Sequence, residues 1–303
     1  MELKLKSIGS TNGFVTWLKG FKDINGSLLV EIDLESKEFI AKSFPQDKSV
    51  VKYAKLSFED AGYEYSYVHN NGEDFDWAQH EATNDGRVKL GIYNVLGKFI
   101  DVVSMFDGSE HDMVVNFDIC NSVLYLGAKK AEKEYQAETT VFHSKALTMT
   151  VKNSQISEFF QKCDDETFLT RVCNIGSPST YEVNTAVLGN LSKIASVFAA
   201  DKSRDLIKFY SKEVDGVLGL YAYDETNGSF DYLLGYYING EAGATSTTIF
   251  KENFMNATKG LTAETLEITL DTAGASRILV DAGEAKVVIA AAKTTYFLNY
   301  YFY

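Results

Sequence analysis

Hydrophobic and polar positions alternate with a period of two along most of this chain, the mark of strands with one buried and one solvated face. In the first half the alternation predicts strands over 27–36, 38–43, 50–58, 63–69, 88–93, 113–119 and 123–129, and the opening MELKLKSIGS alternates too. In the second half it predicts strands over 168–174, 181–187, 206–212, 217–223, 230–238, 264–270, 277–281 and 286–291. Asn25-Gly26, Asn227-Gly228, Asn239-Gly240 and Ala282-Gly283-Glu284 supply turn chemistry between them. A few segments follow helical spacing instead. Phe14, Trp17, Leu18 and Phe21 fall at i, i+3, i+4, i+7 behind a Ser10/Thr11 cap, and Leu96, Phe99, Ile100 and Val103 repeat the spacing. Leu191, Ile194 and Phe198 predict a helix over 190–200, and Phe250, Phe254, Ala257 and Leu261 a weaker one. Each helix has a single apolar stripe, so each lies on a sheet. The class expected is α+β, with antiparallel sheets outside and short amphipathic helices on one inner face.

These helices fall into two matched pairs. A strand, a helix and the hairpin SLLVEIDLESKEFIAKS in the first half correspond to a strand, a helix and DLIKFYSKEVDGVLGLYAYD in the second. Residues 98–138 and 251–292 both read helix, loop, strand, turn and hairpin. A strand–helix–strands unit used twice per domain, in a domain used twice, is a duplicated architecture. The domains expected are 1–143 and 178–303, the latter ending in an aromatic tail. Between them, 144–177 is read as a connector with a strand over 147–151 and a helix over 154–162.

Composition narrows the function. With 303 residues the chain can hold two cores of roughly 150 residues. It has 29 Lys+Arg against 42 Asp+Glu, a net charge of −13, so its surface taken whole repels nucleic acid and anionic membranes. No apolar run of 18 residues exists to span a bilayer, and the opening segment does not read as a signal peptide. Cys120, Cys163 and Cys173 are odd in number and lack metal spacing, which points to free thiols in a reducing, cytoplasmic setting.

The helix LGNLSKIASVF with DLIKFYSKEVDGVLGLYAYD, the closing element ETLEITLDTAGASRILVDAGEAKVVIAAA, and the first-half segments STNGFVTWLKGFKDI and VLYLGAKKAEKEYQAE resemble the DNA polymerase sliding clamps. The resemblance is to two-domain clamps of the tailed-phage and proliferating-cell-nuclear-antigen type, and covers about three quarters of the chain. It implies a homotrimeric ring of six domains that encloses double-stranded DNA without sequence preference and tethers a replicative polymerase. A clamp loader is the further partner implied, and for a phage-encoded clamp the setting is the host cytoplasm. The alternatives are a monomeric processivity subunit held on DNA by charge alone, and a β-rich virion structural or adhesion protein.

Charge can be set against that implication. Across 14–22, 95–106, 190–204 and 251–260 the basic residues Lys19, Lys22, Lys98, Lys193, Lys202, Arg204, Lys251 and Lys259 outnumber the acidic ones by five, inside a chain of −13. These eight are the expected DNA-contacting residues, acting on phosphates alone; lysine is also simply common on helix surfaces. By the resemblance, partner peptides dock on the outer face beside the connector, near Leu147, Met149, Val151, Leu218 and Leu220; the same residues also read as ordinary core.

No catalytic residue, metal ligand or cofactor is expected, and the chain reads as a non-enzyme. Four histidines show no ligand spacing, and no phosphate loop or nucleophile elbow occurs. The acidic stretch around Glu73–Trp77 lacks the oxygen spacing of a calcium loop. The tail TTYFLNYYFY packs as a last strand or against a neighbour, or else fills the partner groove in cis.

Overall fold

A computed structural model describes residues 2–8, 12–45, 47, 49–70, 73–74, 87–92, 96–104, 111–118, 123–130, 149–150, 168–198, 205–273 and 277–292. The chain forms two compact units. Unit 1 is Met1–Lys42 with Ala54–Phe160; unit 2 is Ser43–Tyr53 with Gln161–Tyr303.

In unit 1, strand β1 (Glu2–Ser7) leads into helix α1 (Asn12–Lys22), which buries Phe14, Val15, Trp17, Leu18 and Phe21. The hairpin β2 (Leu28–Asp33) and β3 (Glu38–Ser43) follows, then the end of β4 (Val50–Ser57), β5 (Tyr63–Asn70), the two-residue β6 (Glu73–Asp74) and β7 (Arg87–Ile92). Helix α2 (Leu96–Ser104) precedes β8 (His111–Asp118), β9 (Val123–Lys130) and the short β10 (Met149–Thr150). The strands run β10-β9-β8-β1-β5-β6 in one sheet and β4-β3-β2-β7 in another. Beneath α1 the ring centroids of Phe14 and Phe39 are 4.7 Å apart and those of Phe39 and Phe58 4.9 Å. Burying such a ring contributes about 1.5–3 kcal/mol, and tilted pairs add about 1 kcal/mol.

Unit 2 opens its repeat with β11 (Pro178–Asn184) and α3 (Thr185–Val197), then β12 (Leu206–Val214), β13 (Val217–Asp224), β14 (Asp231–Gly240) and β15 (Ser246–Phe250). Helix α4 (Lys251–Thr258) and strands β16 (Thr265–Asp271), β17 (Arg277–Asp281) and β18 (Ala285–Ala290) close it. The strand order is β15-β12-β13-β14-β11-β16-β17-β18, and β18 neighbours β4, whose first residues belong to this unit. Tyr181, Phe209, Ile249, Phe254 and Ile268 form the core.

The two units repeat one pairing scheme. The strand before the first helix pairs antiparallel with the strand after the second: β1 with β8, β11 with β16. The strand after the first helix pairs with the one before the second: β2 with β7, β12 with β15. This is the duplicated α+β architecture that the sequence predicts. The units differ at one place. In unit 2, β14 pairs with β13 over Asp231–Tyr236 and with β11 over Gly235–Gly240; in unit 1, β4 lies beside β3 and the separate β5 beside β1. Gly235 permits the double pairing, because a Cβ there would lie 1.9 Å from the Glu182 carbonyl oxygen.

Three expectations are corrected. The segment 168–174 is a π-helical turn (Phe168–Val172), not a strand. Phe168 and Val172 are both buried while Leu169, Thr170 and Arg171 are exposed, so its apolar anchors recur every four residues rather than every two. Helix α3 starts five residues before the predicted 190, because the Asn184 side chain accepts the Ala186 N–H at 2.8 Å and caps it there. Its buried stripe is therefore Leu188, Leu191 and Ala195, and Phe198 is exposed. Strand β15 has no counterpart among the predicted strands, since Thr247 takes one of its inward positions.

The hairpin of β12 and β13 turns through Asp215 (φ 53°) and Gly216 (φ 79°), the two positive values that a tight two-residue loop requires. Nothing lies within 4 Å of a Cβ built on Gly216, so Gly216→Ala meets only backbone strain. It is expected to cost about 1 kcal/mol, read as a lower urea midpoint with an unchanged slope.

Candidate nucleic-acid interface

In unit 1 the exposed residues of α1 and α2 include Lys19, Lys22 and Lys98, and in unit 2 those on or just past α3 and α4 include Lys193, Lys259 and the acidic Glu252. On α1 the buried stripe turns Lys19 and Lys22 to solvent, and on α2 Leu96, Phe99, Ile100 and Val103 are buried while Lys98 and Asp101 are exposed. The two helices pack together: a Cβ on Gly97 would lie 3.5 Å from Cε of Lys22. The small residue thus leaves room for the Lys22 stem against α2.

In unit 2, α3 and α4 flank a groove of about 590 Å³. Its apolar lining includes Leu188, Val197, Met255 and Leu261, with Lys193 and Lys259 also at its wall. Both lysines are exposed, and Val197 is 77% exposed. The end of α4 is held from below. Lys52, on the part of β4 that belongs to unit 2, donates from Nζ to the carbonyl of Ala257 at 3.3 Å and of Lys259 at 2.6 Å. Burial pushes the Lys52 ammonium down to about 7.

Lys251 does not belong to this surface. Its side chain is 1% exposed, and Nζ lies 2.9 Å from Oδ1 of Asp224 and 3.6 Å from Oδ2 of Asp205. A lysine opening a helix reads as solvated from spacing alone, but here it turns inward to neutralise two buried carboxylates that β12 and β13 bring to one end of the unit. Asp224 also accepts the N–H groups of Thr226 and Asn227 and the hydroxyl of Ser229, which ties down the turn between β13 and β14. Lys202 and Arg204 lie outside the described residues.

Of the expected partner-docking residues, Leu220 is fully buried in the core of unit 2 and offers no surface; the inward alternation of β13 puts it beside Ala222 and Asp224. Leu218 is partly exposed near the hairpin end. Met149 is described through its backbone, which pairs with Leu124 of β9. Leu147 and Val151 fall outside the described residues, as do the helix expected over 154–162, most of the acidic stretch and the aromatic tail. Exposed apolar side chains that periodicity did not single out are Val214, Val217, Tyr236 and Ile238. Among the described residues no group of three or more His, Cys, Asp or Glu could hold a metal ion, and no helix is long and apolar enough to cross a membrane.

Two helices lying on antiparallel sheets, twice over, define a duplicated clamp-like fold. No family model and no curated protein matches the sequence. Solved structures do match the fold. The PCNA2-PCNA3 complex of Sulfolobus tokodaii matches with a TM-score of 0.57 at 14% identity, over 96% of this chain and 99% of that one. Proliferating Cellular Nuclear Antigen of Entamoeba histolytica gives 0.57 at 9% identity, over 96% and 98%. PCNA of Thermococcus kodakaraensis gives 0.57 at 13% identity, over 95% and 99%. The chain has the two-domain PCNA clamp fold along nearly its whole length.

Proposed function

We propose that this protein is a sliding clamp: a non-enzymatic ring that encloses duplex DNA and tethers the replicative polymerase for processive synthesis, with a clamp loader as its other partner. The carrying observation is that Lys19, Lys22, Lys98, Lys193 and Lys259 stand exposed on or at the end of the helices of a clamp fold, against Asp101 and Glu252 there, in a chain whose net charge is −13. Such residues draw phosphates to the helices of each unit in a chain that otherwise repels them. Among the described residues the layer is also sparse. A protein held by charge alone needs many phosphate contacts, since each contributes only its share of counterion release. So few lysines suit a ring that holds DNA by enclosing it better than a monomer that must grip it.

Assembly by strand addition has candidate edges. No described strand pairs with β14 over Asp231–Leu234 on the side away from β13, or with β9 over Tyr125–Lys130 on the side away from β8. Unpaired edges of this kind are ready templates for a strand from another copy. Partner peptides would then dock on the sheet face near Leu218, where Val214, Val217, Tyr236 and Ile238 leave apolar surface exposed.

Two measurements test the reading. Mass in solution should be near three times 33.7 kDa, and protein assembled on nicked circular DNA should be retained until the circle is linearised. A clean monomer at high concentration that stays equally on circular and linear DNA would replace the ring with the charge-held subunit.

A further inference from the structure

We propose that Lys52 is a positioning residue for the helix face: from inside unit 2 it anchors the last turn of α4 and so sets Lys259 at the wall of the groove. The inference rests on reading that face as the one that meets DNA.

The last carbonyls of a helix have no donors of their own within the helix. Helix α4 is only eight residues long, too short to be stable without outside support. At its end the backbone turns extended, with Lys259 at φ −62° and ψ 137°, and Gly260 follows at φ 72°. The donor that meets these carbonyls comes from a strand about two hundred residues earlier in the chain. Lys52 is 2% exposed and cannot itself reach a phosphate, while its Nζ meets the carbonyls at the end of α4. Lys259 joins the two roles. Its carbonyl accepts from Lys52, and its side chain stands exposed beside Met255, Thr258 and Leu261. Freeing that carbonyl lets the Lys259 side chain sample orientations away from Lys193, and a mobile lysine contributes less to a fixed phosphate contact.

The test compares Lys52→Met, Lys259→Ala and the double variant of the full chain, on a fluorescent random-sequence duplex across a salt series. Methionine keeps the apolar stem and removes the donor. Lys52→Met is expected to weaken binding by the same factor as Lys259→Ala. Each should reduce the slope of log affinity against log salt by about 0.9, the share of one phosphate contact, and the double variant should show no further weakening. A purely structural Lys52 would lower the melting temperature and leave affinity and salt slope unchanged, which overturns the inference while Lys259→Ala still shows its effect. No effect from Lys259→Ala itself would instead overturn the reading of this face as DNA-contacting. If Lys52→Met fails to fold, Lys52→Leu, which also lacks the donor, should show the same weakening; unchanged affinity and slope for it would overturn the proposal.

Discussion

Asp224→Ala is expected to destabilise unit 2 by about 3–5 kcal/mol, the cost of leaving a buried lysine without its nearest counterion. Asp224 is fully buried, Lys251 almost so, and the 3.6 Å approach of Lys251 to Asp205 is the weaker of its two ion pairs. The variant also frees the N–H groups of Thr226 and Asn227 and the Ser229 hydroxyl. Thermal unfolding resolved for unit 2 checks the value. Replacing Asp205, Asp224 and Lys251 together by apolar residues of similar volume should cost far less, since the desolvation of three charges disappears with them. Acid adds a second readout. Burial by itself pushes the Asp224 carboxyl up, but the Ser229 hydroxyl, Lys251 and the Asn227 N–H outweigh it and hold it down to about 2, against an ordinary 3.8. A carboxyl whose folded value lies below its unfolded one stabilises the fold above the unfolded value, and that stabilisation is lost as pH falls through the folded one. Wild type should therefore lose stability between about pH 4 and pH 2 more steeply than Asp224→Asn.

Removing the exposed lysines together should have the largest effect on function. With Lys19, Lys22, Lys98 and Lys193 all changed to alanine, the mass in solution should stay as in wild type while loading and processive synthesis fall. The salt slope of DNA binding should shrink by about 0.9 for each phosphate that no longer meets a lysine, and equally on any DNA sequence, because counterion release carries no base information. Unchanged processivity in this variant would remove the helix face from the account. Lys251→Ala belongs to a different experiment; it should unfold unit 2 rather than weaken DNA binding.

Strands such as β12 and β15 alternate in burial along their length, while β2 and β3 are buried almost throughout and are legible from their apolar runs and turns. Helices α1 and α2 are legible because their stripes are broad and aromatic. What periodicity missed has local causes. Asn184 stops β11 and starts α3 with one hydrogen bond, a signal that lies in a cap and not in the stripe. Thr247 takes an inward position that a hydropathy pattern assigns to solvent, and β15 was missed with it. The basic layer was half legible. Spacing puts Lys19, Lys22, Lys98 and Lys193 opposite their stripes, and there they stand. It could not show Lys251 turned inward, because Asp205 and Asp224 meet it only when the β12–β13 hairpin folds. Lys52 was hidden for the opposite reason: Val50, Val51, Lys52, Tyr53 and Ala54 are all buried, so the strand has no solvated face to which a lysine could be assigned.

The segment 43–53 gives the chain an unusual order of assembly. It belongs to unit 2 yet precedes most of unit 1, and the carbonyl of Ser49 accepts the N–H of Ala290 from the far end of the sequence. On a ribosome, this stretch emerges long before β18 exists, so the start of β4 must wait as an unsatisfied edge while some 230 further residues are made. Closing so long a loop costs only logarithmically more than closing a short one, but the pairing cannot guide early folding. A fragment starting at Gln161 would lack both this strand and Lys52, so unit 2 is an autonomous body in space without being an autonomous stretch of sequence.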